Sequence, residues 1–215
     1  MEEKPSPTTD RHLIRVLIAE DHLLARAGIR AVVNTQPDMK IVGAAVNGLQ
    51  AVSMYRTLLP DVTLMDMWMP VMDGFDAIVA IRKDFPSARI ISLSTFGGDE
   101  DIRRALLVGA QAYLTKGVQH DELIGAIRAV NFGERYVSGG VAAALANATG
   151  LTEREVDVLR LIVQGLSNKL IAADLGIAED TAKNHIRKIL KKLGVDDRTQ
   201  AATAAIRRGF VHLQD

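Results

Sequence analysis

Short apolar runs alternate with longer segments of helical spacing over residues 14–133. The five runs are Val16–Ala19, Ile41–Val46, Val62–Met65, Ile90–Leu93 and Ala112–Leu114. The helical segments that follow them lie near 22–35, 48–59, 73–85, 99–108 and 120–132. Strands that alternate with helices form parallel sheets that are covered on both faces. We therefore predict an α/β domain with a doubly wound (βα)5 sheet over residues 13–133.

The pattern becomes purely helical from residue 151. Residues 134–150 are rich in small side chains and predict a linker, and 151–215 predict an all-α domain of four helices. Thr152 and Glu155 have the spacing of a capping box at the start of the first helix. The apolar stripe of that helix is predicted to consist of Val156, Leu159, Val163 and Leu166.

The ends of the other C-terminal helices are marked by glycine and by capping residues. Gly165 and Gly176 are placed to end the first two helices, and Ser167 is placed to cap the second. The third and fourth helices are predicted at 179–193 and 198–208.

Composition excludes several classes of protein. The absence of cysteine excludes disulfide frameworks, thiolate metal sites and cysteine nucleophiles. Residues 1–12 are polar and lack an apolar core, so they predict a disordered tail rather than a secretory signal. The chain has no run of about 18 apolar residues that could span a membrane, and we expect a cytoplasmic protein.

The formal net charge is zero, with 26 basic and 26 acidic residues. This balance disfavours a nucleic-acid-binding protein only if the charge is evenly distributed. It is not, because residues 1–138 carry 15 basic and 17 acidic residues, whereas 139–215 carry 11 and 9. The C-terminal part therefore remains a candidate for binding nucleic acid.

Polar and charged residues follow four of the five predicted strands: Glu20 and Asp21, Asp66, Ser94, and Lys116. The carboxyl ends of parallel strands meet at one edge of a sheet, where ligands bind. Carboxylates brought together there repel one another, so a divalent cation with oxygen ligands, Mg²⁺ first, is the natural partner. With a lysine and a hydroxyl nearby, such a site suits phosphoryl chemistry.

Two alternative interpretations of this edge stay open at the level of sequence. Acidic residues after strands also serve as turn formers or helix caps. His22 follows Asp21 and could act as a general base, but the sequence identifies no partner for it, and an exposed or packing role is the alternative.

These residues lie in segments that resemble the receiver domain of two-component response regulators, and the resemblance covers residues 14–133. The segments are Ala19–His22, Leu64–Gly74, Ser94–Phe96 and Gly109–Lys116. The resemblance implies a flavodoxin-like fold with Asp66 as the phosphoacceptor. It implies that Mg²⁺ or Mn²⁺ is held by Glu20, Asp21, Asp66 and the backbone carbonyl of Trp68. It also implies that the phosphoryl-binding and switch residues are Ser94, Tyr113 and Lys116.

This sequence departs from the receiver pattern at two site positions. Glu20 stands where aspartate is common and Ser94 where threonine is commoner, but both keep the functional group. A magnesium-dependent phosphohydrolase would need a second acid two residues after the nucleophile, and that position is Trp68. We therefore expect no enzyme beyond self-directed phosphoryl transfer and slow autodephosphorylation.

The third predicted C-terminal helix is strongly basic, with five basic and no acidic residues over 183–192. Such a run alone is typical of a solvated helix face. However, residues 151–210 resemble the LuxR-type helix-turn-helix domain, which with the receiver implies the NarL/FixJ family of response regulators. The segments that carry this resemblance are Leu151–Glu155, Gly165–Lys169, Thr181–His185, Lys192–Val195 and Asp197–Ala201.

The resemblance implies which residues contact DNA. Base edges would be contacted by Lys183, Asn184 and Arg187. Phosphates would be contacted by Ser167, Asn168, Lys169, Thr181 and Lys188. Ala178 stands where relatives often have a serine, so the usual cap of the recognition helix is missing.

The implied function is that of a transcriptional regulator whose Asp66 is phosphorylated by a sensor histidine kinase. When phosphorylated, a homodimer would bind double-stranded DNA at inverted or direct half-sites. The last helix is rich in alanine, which suits either dimerisation or packing within the domain. The alternative function is a DNA-binding regulator that acts independently of phosphorylation and has a vestigial receiver.

Overall fold

The computed structural model describes residues 13–95, 97–136 and 150–212. The predicted tail, 1–12, and most of the predicted linker lie outside these residues. Contacts between residues divide the chain into two compact units. The first unit combines residues 1–94 with 108–136, and the second combines 95–107 with 137–215. This division differs from the predicted domain limits because it groups 95–107 with the C-terminal helices.

The first unit contains a five-stranded, all-parallel sheet of order β2-β1-β3-β4-β5. The strands are β1 (Ile14–Ala19), β2 (Met39–Ala45), β3 (Val62–Asp66), β4 (Ile90–Ser94) and β5 (Ala112–Thr115). The helices are α1 (Leu23–Asn34), α2 (Gly48–Leu58), α3 (Gly74–Asp84) and α5 (His120–Asn131). The predicted doubly wound parallel sheet is confirmed.

The inner strands form the core because their side chains are apolar on both faces of the sheet. Leu17 and Met65 are fully buried on one face, and Ile18 and Leu64, which belong to one apolar cluster, are fully buried on the other, as parallel strands with helices on both sides require. Ile127 of α5 is buried in the same apolar cluster. Strand order reverses at β1, which pairs with β2 on one side and with β3 on the other. Ligand sites of such sheets lie at this point, beyond the carboxyl ends of the strands.

The second unit contains α4 (Asp99–Val108, of which Val108 belongs to the first unit) and four C-terminal helices. These helices are α6 (Glu153–Val163), α7 (Asn168–Asp174), α8 (Glu179–Leu193) and α9 (Arg198–Arg207). The predicted all-α domain is confirmed. No helix in the described part of the chain is long and apolar enough to cross a membrane.

The starts of α6 and α7 follow the capping chemistry that the sequence indicates. The Thr152 side chain accepts a hydrogen bond from the Glu155 amide, and the Glu155 carboxylate accepts one from the Thr152 amide. Ser167 accepts a bond from the Leu170 amide at the start of α7. Each side chain therefore satisfies an amide that has no partner within its helix.

The predicted stripe of α6 is only partly correct. Leu159 is fully buried, but Val156, Val163 and Leu166 are half-buried at the edge of the core. The fully or nearly buried apolar residues of this helix are Val158, Leu159, Leu161 and Ile162. Since α8 and α9 both pack against α6, the buried face is wider than one stripe and is rotated from the predicted position.

The start of α4 packs against the end of the C-terminal helical segment within the second unit. The Glu100 amide donates to the Arg208 carbonyl at 2.9 Å. Asp101, which is buried, pairs through Oδ1 with His212 Nε2 at 2.9 Å. A Cβ added at Gly209 would lie 2.2 Å from Asp101 Oδ2, so the Asp101 carboxyl group packs directly against the Gly209 backbone. Burial raises the pKa of Asp101, and the neighbouring His212 acts in the opposite direction.

Candidate functional site

The structure brings the predicted acidic and basic residues together at the carboxyl edge of the sheet. Glu20 and Asp21 directly follow β1, Asp66 ends β3, and Lys116 directly follows β5. Glu20 is fully buried and Asp66 is 1% exposed, although both are carboxylic acids. Buried carboxyl groups need partners that compensate the lost hydration. The first compensating partner is Lys116.

Lys116 bridges the two buried carboxyl groups. Its Nζ lies 2.8 Å from Asp66 Oδ2, 2.8 Å from Glu20 Oε2 and 3.0 Å from Glu20 Oε1. Burial acts to lower the pKa of Lys116, but the hydrogen bonds with Asp66 and Glu20 outweigh it, and the pKa is raised. The ammonium is therefore retained at neutral pH and is positioned between the two acids.

Asp66 is held at both of its carboxylate oxygens. Oδ2 accepts from Lys116, and Oδ1 accepts from the Trp68 backbone amide at 3.2 Å. Burial is the main cause that raises the pKa of Asp66 to about 6, with the Glu20 charge adding to it and Lys116 opposing it. The Trp68 indole packs edge-on against Phe75, with ring centroids 5.7 Å apart. Asp66 therefore remains mostly ionised at neutral pH. The half-buried Trp68 side chain, two residues after it, is held in place by its contact with Phe75.

His22 belongs to this cluster, which the sequence alone does not establish. Its Nδ1 lies 3.0 Å from Asp21 Oδ1 and 3.2 Å from Glu20 Oε1. The side chain is 69% exposed, so the ring stands at the open side of the buried carboxyl groups. The sequence signal for the participation of His22 in this cluster is its position directly after Asp21. It could not show which way the ring points, because that depends on the turn between β1 and α1.

The carboxyl groups have the arrangement that a divalent cation requires. One donor atom from each of Glu20, Asp21, His22 and Asp66 can be chosen so that all four lie within 4.8 Å of one another. Asp21 Oδ1 is buried and lies 3.0 Å from His22 Nδ1, but this contact lacks hydrogen-bond geometry, and the oxygen accepts no hydrogen bond from the described residues. A buried carboxylate oxygen without a donor is a favourable ligand for a cation. The cluster therefore fits a divalent cation.

The loop after β3 is strained and tightly packed. Val71 has φ +71°, and the Met72 amide donates to the Pro70 carbonyl at 2.8 Å, which closes a three-residue turn. This conformation is rare and strained for a β-branched residue. A Cβ added at Gly74 would lie 2.2 Å from the Asp66 carbonyl oxygen. Only glycine therefore lets α3 begin this close to the peptide that carries the candidate phosphoacceptor.

The remaining predicted receiver residues lie on β4 and β5. Ser94 ends β4, is fully buried, and its carbonyl accepts from the Lys116 amide at 2.8 Å. Tyr113 lies on β5 opposite Ser92 and is among the largest fully buried side chains. The structure thus places Ser94 beside the backbone of Lys116 and Tyr113 within the protein interior.

The predicted base-contacting residues all lie on α8 and are exposed: Lys183, Asn184 and Arg187. Arg187 Nη1 donates to Asn184 Oδ1 at 2.9 Å, and Lys183 pairs with Glu179 at 3.1 Å and Asp180 at 3.3 Å. Hydrogen bonds to Glu179 and Asp180 raise the pKa of Lys183. Exposed pairs of this kind contribute little to stability because solvent screens them, so a DNA ligand can replace them at little cost.

The predicted phosphate-contacting residues are divided between α8 and the start of α7. Thr181 and Lys188 are exposed on α8, Ser167 and Lys169 are exposed at the start of α7, and Asn168 is half-buried. Residues 175–178 separate the two helices, and Gly176 adopts φ +63° there. This arrangement is that of a helix-turn-helix, in which the second helix enters the major groove.

Two features of α8 bear on the sequence interpretation. Ala178 occupies the extended position before the helix and provides no side-chain cap, as its residue type implies. Glu179 and Asp180 in the first turn compensate partly through the helix dipole. His185 is half-buried, and its Nδ1 is buried without a hydrogen-bond partner among the described residues. The burial of this ring nitrogen favours packing of His185 within the helical unit.

The alanines of α9 pack within the helical unit. Ala201 and Ala205 are fully buried and Ala204 is 4% exposed, all in the same apolar cluster as Ile189 of α8. Of the two interpretations of this helix, packing within the domain accounts for these small residues. The surface of α9 that remains exposed carries Thr199, Gln200, Thr203, Ile206 and Arg207.

Comparison with protein families and known proteins gives consistent results. The model of the response regulator receiver domain matches residues 16–128, and that of bacterial regulatory proteins of the luxR family matches residues 149–205. The response regulator protein VraR of Staphylococcus aureus is 35% identical over 206 residues, which cover 92% of this chain and 99% of VraR.

Solved structures of similar proteins cover nearly the whole chain. The response regulator ChrA of a heme-sensing two-component system is 35% identical, with a TM-score of 0.56, and the match covers 93% of this chain and 100% of ChrA. The RcsB response regulator of Salmonella typhimurium, from a study of its conformations in DNA interaction, is 25% identical with a TM-score of 0.61. That match covers 89% of this chain and 97% of RcsB.

Proposed function

The chain belongs to the NarL/FixJ family of two-component response regulators, and we propose that phosphorylation of Asp66 by a sensor histidine kinase controls its sequence-specific binding to DNA. The observation that carries the proposal is the meeting of Asp66, Lys116 and the Glu20–Asp21 pair at one edge of the sheet.

Asp66 is the nucleophile of the proposed phosphoryl transfer. One of its carboxylate oxygens attacks the phosphorus of the kinase's phosphohistidine and forms a P–O bond. The P–N bond breaks, and the departing imidazole takes a proton from solvent. Before transfer, Lys116 Nζ and the Trp68 amide hold the two oxygens of Asp66 in place. After transfer, Lys116 can pair with a phosphoryl oxygen, and we expect the Ser94 hydroxyl to bind another.

A divalent cation, Mg²⁺ or Mn²⁺, fits beside Asp66. Glu20, Asp21, Asp66 and the Trp68 carbonyl would hold it, and the buried Asp21 Oδ1 without a hydrogen-bond donor supports this assignment. The cation supplies positive charge that lets an anionic carboxylate and anionic phosphoryl oxygens approach each other. The residues of the chain hold the reacting groups in position and exclude water from them.

The proposed catalysis is limited to self-modification. Trp68 lies half-buried two residues after Asp66 and is fixed by its contact with Phe75. An aromatic side chain in this position shields the acyl phosphate from water, so we propose that autodephosphorylation is slow. The added phosphoryl charge then biases a two-state element that includes Ser94 and Tyr113.

DNA binding is proposed to reside on the exposed face of α8 and the start of α7. Four exposed residues on α8, Lys183, Asn184, Arg187 and Lys188, combine donors for base edges with charge for phosphates. We propose that the phosphorylated protein binds as a homodimer to two half-sites, because a two-fold protein reads symmetric DNA. Because the alanines of α9 are buried within the helical unit, the face of α9 that carries them cannot be the dimer contact.

DNA affinity, measured with and without phosphorylation, tests the proposal. A duplex is selected by the phosphorylated protein from a random pool, and its affinity is measured for the wild type and for Asp66→Asn. Acetyl phosphate with Mg²⁺ is the donor. We expect the donor to convert the wild type to the acyl phosphate and raise its affinity, and to leave Asp66→Asn unchanged. Asp61→Asn, which changes an aspartate outside the cation cluster, is the matched control.

The outcomes separate the proposed function from its alternatives. Equal affinity with and without the donor would support a regulator that acts independently of phosphorylation. Rapid multiple-turnover release of phosphate without DNA binding would support a hydrolase. Acyl phosphate on Asp66→Asn would show that another residue is the acceptor.

Two neighbouring residues of α8 test the division between base and phosphate contacts. We expect Arg187→Ala to cost about 1–3 kcal/mol on the selected duplex and to relax base preference at one position. Lys188→Ala should weaken binding to all duplexes about equally and reduce the salt dependence. Competition among single-base variants of the duplex, in a salt titration, measures both effects. An unchanged base preference in Arg187→Ala would refute its assignment.

A further inference from the structure

We propose that His22 is a nitrogen ligand of the cation site beside Asp66, and that it makes this site select Mn²⁺ over Mg²⁺. The inference rests on the cation site of the proposed function and goes beyond it, because it assigns a fourth side chain and a metal preference. It starts from the position of His22 Nδ1, which lies 3.0 Å from Asp21 Oδ1 and 3.2 Å from Glu20 Oε1.

The spacing of the donor atoms matches a single octahedral ion. Bonds of about 2.1 Å place neighbouring ligands of such an ion ~3.0 Å apart and opposite ligands ~4.2 Å apart. The two distances from His22 Nδ1 agree with neighbouring positions. The donor atoms of Glu20, Asp21, His22 and Asp66 lie within 4.8 Å of one another, so a small movement of side chains completes the set.

Apart from its contacts with Glu20 and Asp21, the His22 ring has no local role in the described structure that would account for its orientation. His22 occupies the cap position before α1, but its side chain makes no capping hydrogen bond. Its backbone amide donates to Glu20 Oε1 at 3.0 Å, which fixes the main chain beside the carboxyl groups. The side chain is 69% exposed, so burial in an apolar core does not explain its position. The ring is thus held over the open side of the cluster, where a cation would enter.

An imidazole ligand changes which ion the site prefers. Mg²⁺ favours oxygen ligands and retains water, whereas imidazole suits transition metals. Affinity for nitrogen and oxygen sites rises from Mn²⁺ through Co²⁺ along the first-row series. A site made only of carboxylate and carbonyl oxygens discriminates less between Mg²⁺ and Mn²⁺ than one that includes His22. The alternative is that His22 only forms an ion pair with Glu20 and Asp21. In that case, removal of the His22 side chain would leave the preference of the site for Mn²⁺ or Mg²⁺ unchanged.

Metal titration of the full chain tests the inference without any phosphoryl donor. Trp68, the single tryptophan of the chain, lies two residues after Asp66 and reports ion binding by fluorescence. Protein stripped with a chelator is titrated separately with MgCl₂ and MnCl₂. We expect His22→Ala to weaken Mn²⁺ binding by at least ~10-fold and to leave Mg²⁺ binding nearly unchanged. His120→Ala, which removes an exposed histidine at the start of α5, is the matched control and should change neither affinity.

Electron spin echo modulation of bound Mn²⁺ gives a direct readout of the nitrogen ligand. We expect the wild type to show coupling to an imidazole nitrogen, and His22→Ala to lack it while Mn²⁺ still binds at higher concentration. His22→Asn, with a smaller polar side chain, should also lack it. Circular dichroism checks that each variant is folded.

The outcomes distinguish this inference from the proposed cation site itself. If the wild type binds both ions but shows no nitrogen coupling, and His22→Ala keeps the same ion preference, the role of His22 is refuted while the cation site stands. If the wild type binds neither ion, or Asp21→Asn binds both as tightly as the wild type, the proposed cation site fails and the inference with it.

Discussion

Gly74 shows how much one missing side chain matters at the candidate phosphorylation site. A Cβ at this position would lie 2.2 Å from the Asp66 carbonyl oxygen and 2.8 Å from Met67 Cα, both of which are backbone atoms. We expect Gly74→Ala to displace the peptide after Asp66 and to cost about 1–3 kcal/mol by overpacking. Urea unfolding followed by Trp68 fluorescence measures the loss, and Mn²⁺ titration should show weaker binding.

Gly28 is the matched control because it is also a receiver glycine in a helix but has open space around it. No atom lies within 4 Å of a Cβ added there, and the residue is exposed on α1. Gly28→Ala should therefore stabilise the protein by about 0.5–1 kcal/mol through its better helix propensity. Equal effects of the two substitutions would contradict a role for close packing at Gly74.

Single residues differ in how far the sequence could predict their positions. Glu20, Asp66 and Lys116 were predictable because each directly follows or ends a strand, and the carboxyl ends of parallel strands meet. The participation of His22 was not, because it depends on the direction of one ring after a turn. The close packing of Gly74 against Asp66 was equally hidden, since it arises from the path of the strained loop around Val71.

Glu155 connects two helices of the C-terminal unit through its charge. Its Oε2 accepts a hydrogen bond from the Thr152 amide, at the cap before α6, at 2.8 Å and another from Lys192 Nζ, on α8, at 2.7 Å. The Glu155 side chain is 5% exposed. Burial acts to raise the pKa of Glu155, but the bonds from Lys192 and Thr152 outweigh it, and the pKa is lowered. A lowered folded-state pKa contributes stability above the ordinary glutamate pKa of ~4.3 that is lost as pH falls through the folded value.

Glu155→Gln isolates this charge because glutamine can keep the capping box. We expect the variant to lose about 1–3 kcal/mol at pH 7, toward the low end because Lys192 is one-third exposed. The difference from the wild type should shrink as pH falls below 4. Urea unfolding followed by circular dichroism measures it, while Trp68 fluorescence reports the receiver separately. A difference that stays constant from pH 7 to pH 3 would rule out the charge as its cause.

Elements that are marked by a local signal, such as an apolar run or a capping residue, were the easiest to predict. The five strands and the starts of α6 and α7 agree with their apolar runs and capping residues. The buried face of α6 was predicted only in part, because two helices pack against it and widen the face beyond one stripe. The alanines of α9 left two interpretations open, since small residues suit any close helix contact, within a chain or between chains.

At the scale of the whole molecule, the contact between α4 and residues 208–212 depends on Gly209. This residue has φ +78°, and a Cβ on it would lie 2.2 Å from Asp101 Oδ2. We expect Gly209→Ala to separate Asp101 from His212 and to raise amide hydrogen exchange in α4 by at least ~10-fold, which is 1.4 kcal/mol of local opening. Exchange followed by mass spectrometry on the full chain measures this change.

Gly133→Ala controls for the backbone cost of a positive φ. Gly133 has φ +84°, but no atom lies within 4 Å of a Cβ added there. The two substitutions share the left-handed strain of about 1–2 kcal/mol, and only one of them meets Asp101. Exchange in α4 that rises equally in both variants would mean that the contact with residues 208–212 does not protect this helix.

The grouping of α4 with the C-terminal helices has a consequence for how such genes can recombine. A chimaera joined within residues 137–149 would keep α4 from one parent and receive residues 208–212 from the other. Asp101 would then meet a foreign residue in place of His212, and a side chain in place of Gly209 would collide with it. Interchangeable parts of this protein therefore include residues 95–107 together with the C-terminal helices, even though the receiver sequence surrounds that segment on both sides.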